Sequence, residues 1–68
     1  MTPRQRMMRL GMKIIDLCQE MDKRGRHPHY MEVAAVYHGD YSNPDVTRLV
    51  EQTLTEIERE RGMEYGKK

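Results

Sequence analysis

Residues 2–24 read TPRQRMMRLGMKIIDLCQEMDKR, and the spacing of apolar side chains in this run decides the fold. Met7, Leu10, Ile14, Leu17, Cys18 and Met21 recur every three or four positions. Arg6, Arg9, Lys13, Asp16, Glu20 and Lys23 take the opposite side, as in an amphipathic helix. Thr2 followed by Pro3 supplies the start, a hydroxyl for the orphan amides and then a residue whose missing N–H costs nothing at the first helical position. Gly25 supplies the stop, as a left-handed residue just past the last turn. The spacing therefore predicts one helix over residues 3–24. A second row, Met8, Met12 and Ile15, widens its apolar arc to roughly 220° at 100° per residue, more than two short partner helices need.

Outward from that helix, residues 29–38 form a shorter predicted helix between Pro28 and Gly39, with Tyr30, Val33, Ala34, Val36 and Tyr37 as its apolar side chains. Its adjacent alanines allow close helix packing. Asp40 to Pro44 then make a turn ending in a second start signal, Ser42 or Asn43 as cap and Pro44 at the first position. Val46, Leu49, Val50, Thr53, Leu54 and Ile57 give the buried stripe of a third helix over 44–61, followed by a tail over 63–68. The expected fold is all-α, a three-helix domain of helix-turn-helix type spanning residues 1–68.

Sixty-eight residues make one small domain whose core buries only about 60% of the surface of its unfolded chain, so help from a partner copy or ligand is expected. Seven methionines with no Phe or Trp give a soft, adaptable apolar surface. The formal charge is only +1, from 12 basic and 11 acidic residues, but it is segregated. Residues 1–29 hold seven basic and three acidic side chains, and residues 30–68 hold five and eight. Such a dipole orients a partner, or reflects two solvated helix faces. Cys18, the single cysteine, has no internal partner. With no continuous apolar leader and no run of membrane-spanning length, it points to a soluble protein in a reducing cytoplasm, with no membrane partner.

The order of these signals resembles the winged-helix DNA-binding domain of the LexA type. The residues that carry the likeness are Thr2, Arg4, Gln5, the helix through Ile14, Gly25, Pro28, Glu32, Val33, Ala34, Gly39, Ser42, Val46, Leu49 and Gly62. The resemblance implies a helix-turn-helix that places its last helix in a major groove. The chain departs from the family pattern in three ways: one extra residue between Glu32 and Gly39, a third helix about a turn longer, and little sequence after Gly62 for a wing. The autoproteolytic half of that family is absent from the sequence, so self-cleavage is not implied.

On that reading the chain is a small DNA-binding regulator or accessory protein and duplex DNA is its partner. Asn43, Thr47, Arg48 and Gln52 would read base edges, since Arg forks to guanine and Asn or Gln pairs with adenine. Arg4, Arg6, Arg9, Lys23 and Arg24 would hold phosphate. Asp45, Glu51, Glu56, Glu58 and Glu60 surround the base-reading stripe with repelling charge, and a solvated helix face is the plainer reading of it. The alternative function is a protein-binding adaptor or inhibitor module, docking through apolar helix-one surface and the acidic third helix. Met8, Met12 and Ile15 are the expected homodimer interface. His27, His29, His38, Cys18 and Glu32 are ligand types for zinc or nickel, but their spacing does not build a site. The sequence holds no phosphate-binding loop and no nucleophile paired with a base, so it predicts neither cofactor, metal nor enzymatic activity.

Overall fold

A computed structural model describes residues 1–62. Four helices follow one another: α1 (Pro3–Leu10), α2 (Ile14–Lys23), α3 (Tyr30–Tyr37) and α4 (Pro44–Glu60). The described residues hold no strand, and the all-α class expected from the sequence is the class observed. The tail expected over 63–68 lies outside the described residues. A Cα radius of gyration of 11.3 Å equals the roughly 11 Å of a compact chain this long.

The single helix expected over 3–24 is two helices. Thr2 and Gln5 cap α1 reciprocally: the Gln5 amide donates to Thr2 Oγ1 at 3.2 Å and the Thr2 amide to Gln5 Oε1 at 2.9 Å. The helix closes eight residues later, where Gly11 sits at φ 68°. The Met12 amide donates to the Met7 carbonyl and the Gly11 amide to that of Met8, so a left-handed glycine satisfies the last carbonyls. Asp16 then starts α2 by accepting the Lys13 amide at 2.9 Å. The break turns Met12 inward, to 9% exposure, and leaves Met8 and Ile15 outside on different helices. The wide arc drawn on one helical wheel thus joins the separate faces of two short helices.

Helices α2 and α3 close in the same way, with backbone bonds from Arg26 to Met21 and from Asp40 to Ala35. Glu32 starts α3 by accepting the His29 amide. Of the two cap candidates for the last helix, Asn43 is the cap, its Oδ1 accepting the Val46 amide at 3.3 Å.

Helix α4 is the axis against which α1, α2 and α3 all pack. Met7, Leu10, Met12, Leu17, Met21, Val33, Val36, Val46, Val50, Leu54 and Ile57 form one core, with Ile14, Cys18, Tyr37 and Leu49 at its margin. Thr53 is buried among them but satisfied, its hydroxyl donating to the Leu49 carbonyl and accepting from Arg26.

Candidate interaction surfaces

The two oppositely charged halves of the sequence meet inside the chain. Arg6 on α1 forks onto Glu58 of α4, Nε to Oε2 at 3.1 Å and Nη2 to Oε1 at 2.8 Å, and its Nη2 also donates to Thr55. Both partners are largely shielded, with side-chain exposures of 16% and 8%. Just past α2, Arg24 reaches Glu20 and both carboxylate oxygens of Glu60, with its Nε buried and unpartnered. Arg26 forks onto Glu56 at 2.8 and 2.9 Å. Farther along, Arg61 donates to the Leu10 carbonyl, a further tie between the end of α1 and the residue that follows α4.

These contacts decide the electrostatics of α4. The hydrogen bond from Arg26 holds the Glu56 carboxyl below the usual range, and the one from Arg24 does the same for Glu60. Glu56 and Glu60, a like-charge pair on one helix face, are each answered by arginine from another part of the chain. Glu56, Glu58 and Glu60 are thereby paired within the fold, as are Arg6 and Arg24 among the residues expected to hold phosphate.

The other expected DNA-binding residues fall into separate groups. Asn43 is occupied as the α4 cap, and the Thr47 hydroxyl donates to the Asn43 carbonyl. Arg48 is exposed beside Asp45 at 3.6 Å, and Gln52 is exposed one turn further on. Arg4 lies over the Tyr37 ring, 5.5 Å from its centroid, Arg9 contacts Met1 Sδ, and Lys23 pairs with Glu20. Arg48 and Gln52 therefore share a helix face, while the cations assigned to phosphate lie on α1, on α2 and, for Arg24, just past it. Of the residues expected to form a dimer, Met8 and Ile15 are exposed and Met12 belongs to the core.

Sequence reasoning missed the outer face of α3. Val33 and Val36 face the core. Opposite them, by helical spacing, lie Met31, Ala34, Ala35 and His38, with Tyr30 at the margin. Met31 is 75% exposed and Tyr30 49%. The charged residue of α3 is Glu32, its Oε1 accepting the His29 amide at 3.0 Å. A helix apolar on both sides buries both or meets a partner with one of them. That signal was present in YMEVAAVY, where no polar stripe opposes Val33 and Val36.

Cys18 is half-buried, and burial with the nearby Asp22 charge pushes its thiol up, away from the reactive thiolate. His27 Nδ1 lies 2.7 Å from Asp22 Oδ1. Among the described residues no three His, Cys, Asp or Glu side chains are grouped to hold a metal ion, and no helix is long and apolar enough to cross a membrane. Comparison with models of protein families, with curated proteins and with solved structures gives no match.

Proposed function

We propose that this chain is a protein-interaction module that docks a partner protein through the outer face of α3. The observation that carries the reading is an apolar helix face left uncovered: Met31, at 75% exposure the most exposed of the large apolar side chains among the described residues, flanked by Tyr30 and beside the half-buried Ala34 and Ala35. Aromatic side chains and Met are enriched, and charge depleted, at the centres of protein interfaces. This face differs from the helix-one and acidic α4 surfaces expected of an adaptor; on α4, Glu56, Glu58 and Glu60 are engaged with Arg6, Arg24 and Arg26.

Replacing Met31 by a photoreactive phenylalanine analogue in cells tests the reading. Irradiation is expected to yield a nuclease-resistant adduct to protein at position 31 and none at position 52. Adducts that form only at position 52 and dissolve on nuclease treatment would overturn it.

DNA binding is the second reading, supported by the exposed pair Arg48 and Gln52 on the first turns of α4 and by an α1 that carries arginines and no acid. Two observations weigh against it: Arg6 and Arg24 are engaged within the fold, and six residues separate α3 from α4, where compact helix-turn-helix units use three or four. A regulator of this kind shifts duplex DNA at low salt and releases it steeply as salt rises. No shift at micromolar protein concentration ends that reading.

A further inference from the structure

We infer that the bend at Gly11 is a hinge with a second setting, in which α1 and α2 straighten into one helix and two copies of this chain exchange their α1 segments. The inference does not rest on the docking role of α3. What points to it is the phase of the buried side chains. Laid on one straight helix at 100° per residue, the buried residues Pro3, Met7, Leu10, Leu17 and Met21 fall within an arc of about 80°. Ile14 and Cys18, at the margin of the core, widen that arc only to about 100°. Two helices joined by a turn each present their own face to a core and need no common phase; a straight helix requires one. The bend itself is made by Gly11, at φ 68° with open space around it. Straightening returns Gly11 to ordinary helical angles and lets the amides of Lys13, Ile14, Ile15 and Asp16 donate to the carbonyls of Arg9, Leu10, Gly11 and Met12.

A straight helix over residues 3–23 is about 30 Å long and carries α1 away from its seat on α4. Left alone, Met7 and Leu10 would be wet and Glu58 would lose its arginine. A second copy in the same state has the same vacated seat. Its Thr55 and Glu58 accept Arg6 of the first copy, and its core accepts Met7 and Leu10, so exchange rebuilds the contacts that straightening breaks.

Exchange also pairs two side chains that the single chain leaves exposed. Met8, at 62%, and Ile15, at 48%, stand on different helices when the chain is bent. On the straight helix they are seven residues apart and share one face. With a two-fold axis beside residues 11 and 12 the long helices run antiparallel, and Met8 of each copy lies opposite Ile15 of the other. Met12, buried by the bend at 9% exposure, turns out of the core on straightening. That loss opposes the change and keeps the single chain dominant at low concentration.

Two substitutions at one position test the hinge. Alanine is strained at a left-handed φ and favours helix, whereas asparagine tolerates the left-handed conformation. By sedimentation equilibrium the natural chain and Gly11→Asn are expected near 8.1 kDa at micromolar concentration. Gly11→Ala is expected to pair on the order of 100-fold more tightly, and to do so equally with Met31→Glu added. Equal masses for the alanine and asparagine variants at every concentration, or pairing that Met31→Glu abolishes, overturn the inference.

Exchange is tested by mixing Arg6→Glu with Glu58→Arg. Neither variant seats its own α1 on its own α4, because like charges meet there. In an exchanged pair of the two, one contact joins the natural Arg6 and Glu58 and the other joins their reversed counterparts. Mixing is expected to raise helical circular dichroism above the mean of the separate chains and to give particles holding one chain of each kind. A mixture that stays at that mean, or pairs that each variant forms equally well alone, overturns the inference.

Discussion

Replacing Arg6 by methionine removes the guanidinium that joins α1 to α4 and keeps most of the apolar stem. Glu58, at 6% exposure, would then sit against the core with both carboxylate oxygens stripped of their arginine donors. Breaking a buried pair by removing one partner costs about 3–5 kcal/mol. Side-chain exposures of 16% and 8% admit some water and place the expectation near the low end, about 3 kcal/mol. A domain of this size has only roughly 3–10 kcal/mol of stability in all, so Arg6→Met removes a large share of it. Removing the acid is milder, because the longer Arg6 side chain can carry its charge to solvent: Glu58→Met is expected to cost about 2 kcal/mol. The double variant leaves no buried charge behind and is expected to lie within about 1 kcal/mol of the natural chain, since apolar replacement of a whole buried pair is often neutral. Urea denaturation of all four chains, read by helical circular dichroism with shared slopes, gives the coupling energy directly. A cost below about 0.5 kcal/mol for Arg6→Met, as for an exposed pair, would refute the reasoning. So would a double variant as unstable as the single one.

Gly11→Ala places a side chain at φ 68° where space is open, so the cost is backbone strain alone, about 1 kcal/mol, read as a lower urea midpoint with helix content retained. Thr2→Ala removes the oxygen that accepts the Gln5 amide and should cost about 1 kcal/mol by the same assay. Glu56 and Glu60 titrate below the usual carboxylate range in the folded chain, Glu56 through its hydrogen bond from Arg26 and Glu60 through that from Arg24. In the window between the lowered folded value and the ordinary one, the unfolded chain binds protons that the folded chain does not. Their contribution is therefore complete above the ordinary range and is lost as pH falls through the folded value. The melting temperature should drop on acidification below about pH 4.5, and Glu56→Gln should make that drop shallower.

The local signals of the fold were legible because each acts within one turn of chain. Thr2–Pro3 and Asn43–Pro44 mark real starts, Gly25 and Gly39 real stops, and the stripe from Val46 to Ile57 is the buried side of α4. The break at Gly11 was missed because the apolar periodicity of Met7 and Leu10 resumes in Ile14, Leu17 and Met21 almost in phase across it. The excessive width of the apolar arc was its visible trace. The charge pairing was illegible for a different reason. Arg6 and Glu58 lie 52 positions apart, and nothing in helical spacing relates them. Once they meet, residues that read as a phosphate grip and as an acidic docking surface become each other's partners.

The contacts that fasten α1 also set when it can form. Its anchors, Thr55, Glu58 and the Arg61 donor to Leu10, come from the last turns of α4 and the residue that follows. An isolated helix of eight residues is far below the length that is stable in water. During synthesis α1 emerges before α4, yet it stays without its clasp until the ribosome has released Arg61. Met7 and Leu10, buried in the finished fold, are exposed through that interval. Of the four helices, the one made earliest is thus among the last to be secured, and a chain stopped short of Glu58 would leave α1 unfastened.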